Sequence, residues 1–149
     1  MTSTDQKIIA HLNHLLSICK SGKHGYQAAA KNAQDEDLKN FFSSVSIERE
    51  KYIQALKYEV RKAGGDPDKS EVTLGTLHRT WMDVKSAFSA EDDKVNLEAC
   101  ITGEKAALQA YKEVLEKALL PADTRNLIAL QKTRIEKVLS RINDILKKR

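Results

Sequence analysis

Acidic and hydrogen-bonding side chains occupy positions where the helical pattern of this chain demands apolar residues. A buried carboxylate without a partner is costly, so each of these acids needs a hydrogen bond, an ion pair or a proton. Lys23, counted outward from the turn that joins the first two predicted helices, lies at the same level as Glu48. We therefore predict a buried polar layer at mid-bundle, formed by Lys23, Glu48, Tyr52, Glu104, Tyr111 and Gln131.

Two kinds of site fit such a layer. Carboxylates that converge from several helices hold the metals of di-iron and di-manganese proteins, which makes Glu48 and Glu104 candidate metal ligands. Those sites also use Glu-x-x-His, but Lys51 follows Glu48 at this spacing and Ala107 follows Glu104. The pattern favours the second kind, an ionic layer that fixes helix register, with Lys23 paired to Glu48. No catalytic residue and no cofactor is expected.

Apolar periodicity predicts four long helices and one shorter helix. Ser3 with Gln6 fits a capping box for the first helix, and Asp35 and Ser89 can cap the second and the fourth. Gly64-Gly65 ends the second, because glycine adopts the left-handed cap conformation without strain. The predicted helices span about 4–33, 36–63, 74–88, 90–119 and 121–148.

The lengths of the connections indicate how these helices pack. Short turns join the first helix to the second and the fourth to the fifth, so each pair must form an antiparallel hairpin. The connection between the hairpins is long enough to cross the whole bundle, which is the ferritin-like arrangement. We expect His78, Arg79 and Trp81 to dock this crossover, with the Trp81 N–H reaching polar groups. Gly22 and Gly25 indicate a close approach by another group.

Composition limits the class of protein. The chain has 149 residues, of which 41% are hydrophobic, with six Gly and two Pro. These values fit a single helical domain over 1–149 and exclude a disordered or an all-β chain. Cys19 and Cys100 fall in apolar patterns, as small core residues of a reducing compartment do. No leader and no run of ~18 apolar residues is present, so we expect a cytoplasmic protein without a membrane span.

The charge is uneven. The net charge is +4, and residues 121–149 alone carry eight basic and three acidic side chains. Arg134, Lys137, Arg141 and Lys148 form a basic stripe at helical spacing, which Asp144 interrupts. A nucleic-acid surface would have this charge, but few aromatic residues are interleaved, so a solvated face is the favoured interpretation.

Several motifs resemble an uncharacterised bacterial ferritin-like family, domain of unknown function 2383. The run Ser21-Gly22-Lys23-His24-Gly25-Tyr26 is similar to its Asp-Gly-Glu-x-Gly-Phe element. The resemblance continues through Ala-Gly-Gly-Asp-Pro at 63–67 and the Leu-His-Arg-x-Trp-x-Asp-x-Lys stretch that ends at Lys85. It resumes at Gly103-Glu104, Tyr111, Leu120-Pro121 and Gln131.

This resemblance implies a ferritin-like all-α fold and no established activity. The first-helix carboxylate of the family is Lys23 here, and its ammonium would occupy the space of a bound cation. We therefore expect a non-enzymatic bundle protein with a stress-related or interaction role, able to pair as a homodimer through its helix faces. The alternative is a metal-binding or di-iron-type oxidoreductase protein that uses Glu48 and Glu104.

Overall fold

The computed structural model describes residues 2–71 and 76–149, which form a bundle of α-helices. Five α-helices and one short 3-10 turn, and no strand, occur in these residues. None of the described helices is long and apolar enough to cross a membrane. The all-α prediction is confirmed, with α1 at Ser3–Asn32, α2 at Glu36–Lys62, α3 at Thr76–Ala87, α4 at Asp93–Lys117, α5 at Ala122–Lys147 and the 3-10 turn at Pro67–Glu71.

The ends of α2 follow the sequence signals. The Asp35 side chain accepts a hydrogen bond from the backbone N–H of Asp37 at 2.9 Å. At the other end Gly64 has φ 93°, and the Gly65 N–H donates to the Val60 carbonyl at 2.9 Å. This pattern satisfies the last carbonyls of the helix, and it requires the left-handed conformation that glycine tolerates.

The capping of α1 differs from the expected pattern. The capping box uses Thr2 and Asp5 in place of Ser3 and Gln6, so the helix begins one residue earlier. Both pairs have the same spacing, but the ionised Asp5 side chain makes the stronger hydrogen bond to a backbone N–H.

The start of α4 also differs. The helix begins at Asp93 with Asp92 as its cap, whose side chain accepts from the Val95 N–H at 3.2 Å. Ser89 was expected to cap it, but the Asn96 side chain pairs with both the backbone N–H and the carbonyl of Ser89, each at 2.8 Å. Ser89 is therefore held in the turn before the helix.

Contacts between helices define the path of the chain. The Cys19 sulfur lies 3.1 Å from the Tyr111 hydroxyl, and the Gln34 N–H donates to Asp93 at 2.8 Å, so α1 and α4 run antiparallel. Because α4 begins beside the end of α1, the connection from α2 must travel the length of the bundle. Helix α3, on this connection, packs against α1 and α4.

Two apolar clusters fill the bundle, one towards each end. The boundary between the two clusters lies at the same level in three helices. It falls within residues 19–26 of α1, 45–52 of α2 and 100–107 of α4. Arg49 and Glu104 lie in this interval, so the fold places its most buried charges between the two apolar halves.

Candidate functional site at mid-bundle

A buried ion pair occupies the middle of the bundle. The Arg49 side chain from α2 reaches Glu104 of α4, with 2.5 Å between Nη2 and Oε2. Arg49 is 1% exposed and Glu104 is fully buried. Two such charges are stable in the interior only when they compensate one another at close range. The pair therefore joins α2 and α4.

Aromatic rings complete the surroundings of the guanidinium. Its Cζ lies 5.4 Å from the centre of the Tyr26 ring and 6.0 Å from that of Tyr52, within the range of cation–π attraction. Burial opposes the charge of Arg49, but the carboxylate of Glu104 outweighs it and raises the Arg49 pKa. Arg49 thus remains a permanent cation in the core.

Glu48 lies beside this pair rather than in it. It is half-buried, and the Tyr52 hydroxyl donates a hydrogen bond to its Oε1. Burial, together with this bond, raises the pKa of Tyr52, which therefore keeps its proton and stays a donor. The two candidate metal ligands, Glu48 and Glu104, are thus bound to different partners.

A second polar chain crosses from α1 to α5 through α4. The Tyr111 hydroxyl donates to Gln131 Oε1 at 2.7 Å and contacts the Cys19 sulfur at 3.1 Å. Burial raises the pKa of Cys19 to about 11 and that of Tyr111 well above its usual value. Both groups are neutral near pH 7, so this chain acts as a hydrogen-bonded tie between three helices.

The predicted pairing of Lys23 with Glu48 is wrong. The Lys23 ammonium lies 2.7 Å from Glu50, and its side chain is 27% exposed. A lysine on the flank of a helix can bury its aliphatic stem and keep its charge in water. Glu50 lies at the border between the buried interior and the solvent. Arg49, not Lys23, supplies the buried cation of the layer.

Trp81 packs from α3 into a socket of glycines. The indole is 1% exposed. A Cβ built on Gly25 would lie 2.3 Å from Trp81 Cε3, and one on Gly103 would lie 2.5 Å from Cζ2. Only residues without a side chain leave room for the ring, so the close approach expected at Gly25 is made by Trp81. Gly22 borders the same ring and the Arg49 side chain.

Two other residues, Arg79 and His78, were also expected to dock the crossover. Arg79 is exposed on α3. His78 belongs to α3, but its side chain lies outside the described residues.

Four buried polar atoms of this region make no hydrogen bond to any described residue. The Trp81 N–H is one of them, so the structure differs from the expectation that it would reach polar groups. The Tyr26 hydroxyl is another, and burial and the nearby Glu104 carboxylate raise its pKa well above the usual value. The remaining two atoms are Glu104 Oε1 and Gln131 Nε2.

Arg49 is the buried residue of the polar layer that the sequence pattern missed. A seam that advances by three or four residues can step from Val45 to Glu48 or to Arg49, and either step then reaches Tyr52. Starting from Phe42, an advance of seven residues leads to Arg49. Glutamate and arginine are both usually exposed, so residue type does not decide between the two positions.

The arrangement supplies no evident ligand set for a metal. Among the described residues, no three histidine, cysteine or acidic side chains are grouped so that they could hold a metal ion. The polar groups at mid-bundle instead pair Arg49 with Glu104 and tie helices through hydrogen bonds between neutral groups.

Comparison with known proteins assigns the chain to a family. Residues 7–117 match the family described as domain of unknown function (DUF2383), and the protein belongs to it. No curated protein matches the chain. The matched span includes Arg49, Trp81 and Glu104 and ends before α5, so the resemblance noted at Gln131 lies outside it.

Proposed function

We propose that this protein is a ferritin-like bundle in which the Arg49–Glu104 ion pair takes the mid-bundle place that metals occupy in di-iron proteins. The observation that carries the proposal is the guanidinium itself, which is buried and 2.5 Å from the Glu104 carboxylate. The antiparallel packing of α1 against α4, with a connection along the bundle, supports the ferritin-like arrangement.

The protonation state of three buried groups supports a non-enzymatic role. Catalysis by a general base or a thiolate near neutral pH needs a group with a pKa close to that pH. Cys19, Tyr26 and Tyr111 have raised pKa values and stay neutral instead. The role then lies in interactions of the bundle surface, including those made under stress.

Metal analysis tests this proposal against the metal-binding alternative. Protein purified without chelator should contain iron, manganese and zinc at well below one atom per chain, and Mn²⁺ or Fe²⁺ should leave its melting temperature unchanged. A ligand that binds the native state at 100 times its Kd would stabilise it by about 2.7 kcal/mol, which a melting experiment detects. Stoichiometric metal that Glu104→Gln removes would overturn the proposal.

A further inference from the structure

An open groove lies between α2 and α5. The two helices are tied near the start of α5, where Thr124 donates to Glu59 at 2.6 Å. Further along, an open groove of about 670 Å³ lies between them. We call this space the α2–α5 groove; its lining residues are Phe41, Glu48, Arg134, Lys137, Val138, Ser140, Arg141 and Asp144.

Three cations of α5 line this groove. Arg134, Lys137 and Arg141 follow one another at helical spacing and therefore share a face of the helix. None of the three makes an ion pair with a carboxylate in the part of the chain that the structure describes. Their positive charge is available to a bound group.

The acids of the groove reduce this charge but do not cancel it. Glu48 and Asp144 are the two carboxylates among the lining residues, against three cations. One oxygen of Glu48 already accepts a hydrogen bond from Tyr52. The two acids also count against a polyanion, because an extended phosphate backbone would pass both of them.

An apolar surface lies beside these cations. Phe41 from α2 and Val138 from α5 are partly buried and pack against one of the two core clusters. Both side chains therefore have fixed positions, and their exposed parts offer a contact to an apolar group.

We propose that the α2–α5 groove binds an amphipathic organic anion: a carboxylate, sulfonate or phosphate monoester that carries an apolar or aromatic group. The anionic end pairs with Arg134 and Arg141, and the apolar end covers Phe41 and Val138. The cations belong to α5, which lies beyond the span matched to the family.

Titration with 8-anilinonaphthalene-1-sulfonate, followed by its fluorescence and by amide NMR shifts, tests the proposal. We expect saturable binding that shifts the amides of residues 134–144 and weakens as salt is added. The double variant Arg134→Gln/Arg141→Gln should bind about tenfold more weakly, since two charged partners are lost. N-phenyl-1-naphthylamine, the same ring system without sulfonate, should bind less tightly than the anion.

The matched control is Lys147→Gln/Lys148→Gln, which removes the same charge from the end of α5 outside the groove. This control should keep the affinity of the unmutated protein. Equal weakening in both variants, or unchanged binding in the groove variant, would overturn the proposal. Tighter binding of an oligonucleotide at 150 mM salt, lost in the groove variant, would also overturn it in favour of a nucleic-acid surface.

Discussion

At the scale of single residues, the Arg49–Glu104 ion pair is the most demanding feature of the molecule. Removing both charges from water costs several kcal/mol for each, and their mutual attraction returns this only in good geometry. The compensation comes from the contact with Glu104 and from the aromatic rings around Arg49. We propose that the pair fixes how α2 and α4 align.

A double-mutant cycle measures this coupling. Arg49→Met and Glu104→Gln should each lower the free energy of unfolding by about 3–5 kcal/mol, because each leaves a buried charge without its partner. The double variant should lose clearly less than the sum of the two. Urea denaturation gives all four values. The surface pair Lys132–Glu136, changed to Met and Gln in the same way, is the control and should show a coupling below about 0.5 kcal/mol. Additive losses at Arg49 and Glu104 would contradict the interpretation.

Lys23→Glu tests the corrected position of Lys23. The substitution replaces a partly exposed ion pair with Glu50 by a repulsion, so we expect a loss of at most about 1 kcal/mol in urea denaturation. Mn²⁺ should not change the melting temperature of the variant. A loss of 3 kcal/mol or more that Mn²⁺ restores would instead place Lys23 among the central carboxylates.

The polar layer could be predicted in part. Glu104, Tyr111 and Gln131 lie on seams whose spacing is unambiguous, and all three are buried. The partners could not be predicted, because register between helices depends on packing rather than on spacing within one helix. A shift of one residue on α2 exchanged Glu48 for Arg49 and thereby changed the charge at the centre.

At the scale of elements, the packing of the Trp81 ring against glycines of α1 and α4 holds α3 in place. These glycines cost α1 and α4 up to about 1 kcal/mol each relative to alanine. The buried indole more than offsets it, since large aromatic side chains contribute several kcal/mol.

A second double-mutant cycle tests the contact between Trp81 and Gly25. Trp81→Ala should cost about 3–5 kcal/mol in urea denaturation. Gly25→Ala should also destabilise the unmutated protein, because the new methyl group would lie 2.3 Å from Trp81 Cε3. In the Trp81→Ala background the same change should be neutral or stabilising by up to about 1 kcal/mol, the helix propensity of alanine over glycine. Met82→Ala, an exposed neighbour on α3, is the control and should stay within about 0.5 kcal/mol. A Gly25→Ala effect that is the same in both backgrounds would contradict direct contact.

The helices themselves were largely predictable and their ends less so. Long seams of apolar residues identify α1, α2, α4 and α5, because the spacing of apolar residues within one segment is enough to reveal an amphipathic face. The start of α4 was misplaced since Ser89 and Asp92 are both good caps, and the Asn96 side chain decides between them through contacts that no local signal shows.

At the scale of the whole molecule, several acidic groups are buried with their protons. Burial raises the pKa values of four such groups, which lie in the polar layer or beside it: Cys19, Tyr26, Cys100 and Tyr111. In the unfolded chain these groups would ionise at their ordinary pKa values. Folding is therefore linked to proton retention at alkaline pH.

This linkage predicts that stability is lost as pH rises. For Cys19 the folded pKa of about 11 exceeds the ordinary thiol value of 9.0, so between these values the unfolded state binds fewer protons and unfolding becomes easier. The stabilisation from this thiol is complete below pH 9 and falls by about 2–3 kcal/mol by pH 11. Urea denaturation at pH 7, 9, 10 and 11 should show a level region followed by a decline. Cys19→Ala should start from a lower stability, because it loses the contact with Tyr111, but decline less steeply over the same interval.

Ellman's reagent at pH 8 should label the folded protein only as fast as it unfolds. A stability that stays level from pH 9 to 11, or rapid labelling of the folded protein, would show that the thiol is accessible and that the layer is open to solvent.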